Sequence, residues 1–166
     1  MARLTRFRTR PFAQIDVFSP TPCLGNPVAV VLDADDLDGD TMQRMARWAN
    51  LSETTFVLAP TTPDADYRAR IFTPGGELPF AGHPTLGTVH AWLHHSGSPK
   101  DQVVQECAAG LIEVRRRRET LSFAAPPTLR RGGRGGRASE RWGAGRSRTA
   151  FRRRAGWRRS VFRRRR

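Results

Sequence analysis

The sequence predicts an α+β unit over residues 11–128, followed by an arginine-rich segment, 129–166, that takes no part in that fold. Three observations carry this division. Charge is the first: residues 1–128 hold 13 Lys+Arg against 14 Asp+Glu, whereas 129–166 hold 16 Arg and one acid, Glu140. Patterning is the second, since short alternating or apolar runs up to Phe123 are interrupted by two stretches of helical spacing. The third is composition: the last segment has no periodic apolar face and no Lys, Asp, Asn, Gln, Ile, Met or Tyr, and is expected to be disordered. A chain of 166 residues accommodates one core.

Taken in order, Phe12 to Phe18 reads as a strand, with Phe12, Ile15 and Val17 apolar around Gln14 and Asp16. Leu24-Gly-Asn-Pro27 supplies turn chemistry, because Gly and Asn tolerate positive φ and Pro cannot donate to a ladder. Pro27 to Leu32 is a Val-rich run of the kind buried on both faces, and should neighbour the first strand. The acidic stretch Asp33 to Asp40 offers an N-cap at Asp38 or Asp40 for a helix running to Ala49. Leu37, Met42, Met45, Ala46 and Ala49 make its buried stripe, and Asn50 suits a left-handed C-terminal residue.

Leu51 to Leu58 reads as a loop passing into a strand with Phe56 and Leu58 apolar. From Ala65 to Phe72 the alternation is clean, Tyr67, Ala69 and Ile71 opposing Arg68 and Arg70. Gly75 to Pro84 is expected to be irregular because of its glycines and prolines. A second helix, Pro84 to His94, starts with Pro84 at its first position and turns Leu86, Val89 and Leu93 inward, leaving His90, His94 and His95 on its surface. Short strands follow at Val103–Cys107, Leu111–Val114 and Leu121–Phe123.

The net charge of +14 would ordinarily point to nucleic acid, but the first part is nearly neutral, so such a partner is expected only through the tail. Cys23 and Cys107 stand apart without metal or disulfide spacing and read as reduced, buried thiols. No apolar run is long enough to cross a membrane and no signal-type stretch follows the basic start; a cytoplasmic protein, with no membrane partner, is expected.

Two places could carry chemistry. Glu53 follows Asn50-Leu-Ser52 just beyond a helix, and a carboxylate held at a sheet edge makes a serviceable proton acceptor and donor. The alternative is a capping or turn glutamate. Phe80-Ala-Gly-His-Pro-Thr85 leads into a helix N-terminus, where free N–H groups can hold an anionic carboxylate or oxyanion. His83 there could relay a proton, or simply cap the helix. No nucleotide-binding or metal motif is present, so no cofactor and no metal are expected.

Several strings in register carry a resemblance: Asp16-Val-Phe with Gly25-Asn-Pro-Val-Ala-Val-Val31, Asn50-Leu-Ser-Glu-Thr-Thr-Phe56, Arg70-Ile-Phe-Thr-Pro74, and Glu77-Leu-Pro-Phe-Ala-Gly-His-Pro-Thr-Leu-Gly87. With Val104-Gln-Glu-Cys-Ala-Ala-Gly110 and Leu121-Ser-Phe-Ala-Ala-Pro126, they make residues 11–128 similar to the PhzF-like isomerases of phenazine biosynthesis. The resemblance implies one half of a diaminopimelate-epimerase-like fold, a mixed sheet rolled around a central helix, here Pro84–His94. It further implies cofactor-independent isomerisation or epimerisation beside a carboxylate of a small metabolite, and a homodimer. Glu53 matches the family's general acid/base and His83 its partner, with Gly82, Ser52, Pro84 and Thr85 in the substrate-binding positions. Neither Cys23 nor Cys107 is placed to replace Glu53 as the base.

Members of this family are about twice as long as the matching region, and their second half supplies an aspartate, a serine and anion-binding amides that have no counterpart here. The arginine-rich tail leaves three readings open: an out-of-frame or truncated reading of a GC-rich gene, an RGG-type nucleic-acid arm at Arg130-Arg-Gly-Gly-Arg-Gly-Gly-Arg137 with Trp142, Phe151 and Trp157, or a solvated tail. The expectation is an isomerase impaired by the missing half of its site.

Overall fold

The computed structural model describes residues 9–118, 120–124 and 151–152. Strands β1 (Phe12–Val17) and β2 (Asn26–Val31) pair antiparallel, and helix α1 (Gly39–Ala49) leads to β3 (Glu53–Leu58), which joins β2 in parallel. Strand β4 (Tyr67–Thr73) runs antiparallel to β3, forms a hairpin with β5 (Gly76–Leu78), and pairs in parallel at its other end with β6 (Gln102–Cys107). Helix α2 (Gly82–Ser96) precedes β6, and β7 (Gly110–Arg117) and β8 (Thr120–Phe123) complete an antiparallel meander. Two residues of the tail, Phe151–Arg152, pair with β8 as β9; the remainder of segment 129–166 lies outside the described residues.

The sheet has two unlike faces. One encloses α2: Ile15, Val17, Val28, Val30, Val57 and Val114 pack with Leu86, Val89 and Leu93. The other carries α1, where Met42 and Ala46 meet Val31, Phe56 and Phe72. β2 sends Val28 and Val30 one way and Val31 the other, which is why its run is apolar throughout. α1 begins on Asp38, whose carboxylate accepts from Thr41 N–H at 2.6 Å, and ends on Asn50 at φ 53.

Four local expectations need correction. Gly75 to Leu78 is not wholly irregular: Pro74-Gly75 is the two-residue turn of a hairpin, closed by Thr73 Oγ1 accepting from Gly75 and Gly76 N–H and braced by Arg70 donating twice to Glu77 at 2.7 Å. α2 starts earlier, on Ala81 as N-cap, so Pro84 is its third residue instead of its first. His90 is 8% exposed, because the rolled sheet leaves α2 little free surface. Of the two free cysteines, Cys107 is buried and Cys23 is exposed, in a turn with φ 66.

The roll depends on close contact between α2 and the first two strands. Gly87 makes it possible: a Cβ there would lie 2.4 Å from Val28 Cγ1 and 3.2 Å from Val17 Cγ2. This contact sets the N-terminal turn of α2 beside the starts of β2 and β3. No helix among the described residues is long and apolar enough to cross a membrane.

Candidate active site

Glu53 opens β3, and by alternation its side chain shares the α2 face with Thr55 and Val57. Thr55 anchors that face to the helix, since its hydroxyl accepts from Thr88 Oγ1 at 2.8 Å. β3 pairs with β2 so that Glu53 stands opposite Val28, two residues from Asn26. His83 enters from α2 between them. Its Nε2 lies 3.2 Å from Glu53 Oε2, its Nδ1 lies 3.3 Å from Asn26 Nδ2, and the Phe18 ring tilts against it at 6.3 Å between centroids.

The pair is withdrawn from water, His83 and Glu53 side chains being 9% and 16% exposed. Although His83 Nε2 and Glu53 Oε2 stand within ion-pair distance, they are not aligned as a hydrogen bond, and both atoms are buried without a hydrogen-bond partner. The distance permits charge attraction only when the ring is protonated, and a shared proton would need an alignment that is not present. Unpaired buried polar atoms are costly and are retained mainly where function needs them. Burial pushes the His83 imidazole below its usual range, against the opposing pull of Glu53 and the Pro27 carbonyl. The ring is therefore biased to its neutral form.

The other sequence-derived positions distribute around this pair. Gly82 is the first residue of α2 and faces β8, where a Cβ would stand 3.3 Å from the Phe123 ring. No side chain caps the helix N-terminus. Ser52 is exposed in the bend before β3. Pro84 and Thr85 are buried beneath the cluster, and the Thr85 hydroxyl is committed, donating to the Ala81 carbonyl at 2.9 Å and accepting from Gln105 Nε2 at 3.1 Å. Gln105 in turn accepts from Tyr67 OH at 2.8 Å. A buried hydrogen-bonded chain thus ties the first turn of α2 to β4 and β6.

The sequence by itself marks neither Asn26 nor Phe18 as a site residue. Asn26 reads as turn chemistry, and nothing local announces a contact with a residue 57 positions on. Phe18 adopts φ 73, unusual for an aromatic residue, which turns the chain at the end of β1 and leaves its ring about half exposed beside His83. Buried Asp16 and Thr54 oxygens also lack partners, but alternation puts them on the face of the sheet away from His83.

A cleft of about 240 Å³ lies at the other end of α2, lined by Leu32, Val57, Asp66, Tyr67, Trp92 and His95. Its polar groups are already paired: Asp66 accepts from Lys100 and Val104 N–H, and His95 contacts Asp33. At ~1.5 Å per residue, Trp92 is more than 13 Å along the helix from His83. Cavity and chemistry are at opposite poles, and the unpaired acid–imidazole contact is the better indicator of a site. Cys107 offers no rival base, since burial raises its thiol and Sγ bonds to the Gly110 carbonyl. Among the described residues no cluster of His, Cys, Asp and Glu is fit to hold a metal.

A family model described as phenazine biosynthesis-like protein, PhzC-PhzF, matches residues 15–129. The chain belongs to the PhzC-PhzF family. It is 54% identical over 101 residues to a trans-2,3-dihydro-3-hydroxyanthranilate isomerase of Pseudomonas aeruginosa, covering 61% of this chain and 35% of that one. It is 58% identical over 106 residues to antisense-enhancing sequence 1 of Schizosaccharomyces pombe, covering 62% and 36%. The crystal structure of a Bacillus anthracis PhzF-family protein superposes with a TM-score of 0.63 at 34% identity, over 71% of this chain and 41% of that chain. The PhzF half-fold, a mixed sheet rolled around a central helix, is thus the architecture of the described residues. The match spans little more than a third of the length of these curated relatives.

Proposed function

We propose that this chain carries the acid/base wall of a cofactor-independent isomerase site, moving a proton on a small carboxylate-bearing metabolite of the trans-2,3-dihydro-3-hydroxyanthranilate type. The observation supporting this most directly is the buried contact of Glu53 and His83 at 3.2 Å with neither atom in a hydrogen bond. In this reading Glu53 takes a proton from one carbon and returns it to another, so no redox step or cofactor enters. His83 holds the developing charge through its ring N–H. The N–H groups of Gly82 and His83, at the positive end of α2, receive the substrate carboxylate. Ser52 lies at the rim, and Pro84 and Thr85 shape the turn from below.

The name of the Pseudomonas relative supports the substrate class. Incubating the purified chain with trans-2,3-dihydro-3-hydroxyanthranilate in D2O tests the reading. Deuterium incorporation, abolished in Glu53→Gln, is expected. Equal incorporation by wild type and Glu53→Gln would sink it.

A further inference from the structure

The two ring nitrogens of His83 meet different chemistry. Nε2 faces a carboxylate oxygen of Glu53 at 3.2 Å, and Nδ1 faces the amide nitrogen of Asn26 at 3.3 Å. A neutral imidazole carries one proton, and an amide nitrogen can only donate. With the proton on Nε2, Asn26 N–H meets a lone pair on Nδ1, and the Nε2 proton lies on the Glu53 side, within 3.2 Å though not aligned into a hydrogen bond. With the proton on Nδ1, N–H meets N–H at Asn26 and a lone pair meets the Glu53 carboxylate; the Pro27 carbonyl, a backbone acceptor beside the ring, is the competing pull that Asn26 has to outweigh.

The backbone makes this arrangement specific. Asn26 pairs with Val17 of β1, and Glu53 pairs with Val28 of β2, so strand register fixes the acid and the amide on either side of the imidazole. His83 is held by the first turn of α2, which Thr85, Gln105 and Tyr67 tie into the core. Burial favours the neutral imidazole, and in that form its tautomer is a property the site must set.

We propose that Asn26 is a positioning residue that fixes His83 as the Nε2–H tautomer, so that the ring presents a proton donor beside the carboxylate of Glu53. His83 and Glu53 then enter the reaction as donor and acceptor, and no proton has to be redistributed before substrate binds. The inference rests on reading these two residues as the proton-transfer pair.

Its test does not require turnover. In the full chain labelled with 15N-histidine, ring 15N–1H correlation at a pH above the His83 transition, assigned by the loss of signal in His83→Gln, should show a protonated Nε2 and a bare Nδ1. Asn26→Leu removes the donor and should populate the Nδ1–H form. Asn26→Asp, close to Asn in shape, puts an acceptor against Nδ1 and should make that form dominant. It decides the matter if Asn26→Leu fails to fold. A wild-type Nδ1–H pattern would overturn the proposal, as would an unchanged Nε2–H pattern in a folded Asn26→Asp protein. In the exchange assay, Asn26→Leu should lower kcat by ~10-fold with KM nearly unchanged, part of the 100-fold or more that a placed acid/base group supplies. Absence of exchange in a wild type that shows the Nε2–H pattern would refute the functional reading and leave the tautomer assignment standing.

Discussion

The two helices of this chain solve opposite problems. α1 lies on the outer face of the sheet with one apolar stripe inward, and both its ends are closed, Asp38 accepting from Thr41 N–H and Asn50 N–H donating to the Ala46 carbonyl at 3.1 Å. α2 is buried on nearly every side, yet its N-terminus has no side-chain cap and meets the unpaired Glu53 and His83 atoms. A helix that only stabilises can satisfy all its groups locally. One that presents chemistry must be anchored from beneath so that its first turn can stay uncapped.

Mutations should separate the two helices, the largest effect coming from the core of α2. Leu86→Ala, at a fully buried position, should cost ~2–5 kcal/mol in denaturant unfolding, as large-to-small core changes do. Matched glycines come next. Gly87→Ala drives a Cβ to 2.4 Å from Val28 and should cost ~1–3 kcal/mol through overpacking. Gly39→Ala in α1 meets only the Arg70 guanidinium, at 3.2 Å and held by Glu77, so the gain in helix propensity is offset by that contact and the change should be near neutral, within ~0.5 kcal/mol. Equal losses at both positions would erase the contrast between the helices.

Tyr67→Phe probes the anchor: it removes the donor to Gln105 Oε1 in a fully buried chain and should cost ~1–3 kcal/mol. It should also disturb the amide resonances of the first turn of α2 more than those of α1; an equal response would argue against the anchor.

The smallest effect in stability is the most telling for the site. Glu53→Gln removes the charge that opposes desolvation of His83, so the His83 titration midpoint should move further down, measured by NMR. The sign for wild type follows from the depressed pKa. The unfolded state binds the proton more readily, so His83 contributes stability that is full above its unfolded pKa of about 6.5 and is lost as pH falls through that value toward the folded one. Glu53→Gln should widen this window on its acid side. An upward shift would mean that Glu53 does not face the ring as a carboxylate.

Much of the fold was legible because it is written locally. Asp38 and Asn50 are end signals for α1, the alternation at Tyr67, Ala69 and Ile71 marks β4, and the Val-rich run marks a strand covered on both sides. The hairpin at Pro74-Gly75 was missed because the same residues signal both irregular chain and a tight turn, and only the Arg70–Glu77 pairing across the strands tells them apart. His90 was misplaced for a related reason: helical spacing finds one apolar face, whereas a sheet that curls around a helix buries the others too.

For the site, residue order alone put a carboxylate at Glu53 near the start of a strand and a histidine at the start of a helix, and the motif register tied both to one family. Their meeting at 3.2 Å was decided by tertiary structure. β2 joins β3 in parallel across an intervening helix, and Gly87 lets α2 approach the sheet closely enough for His83 to reach between Asn26 and Glu53. Periodicity reports which face of an element is apolar. It carries no information on which polar atoms, tens of residues apart, end up together without water, and that was determined by the roll of the sheet.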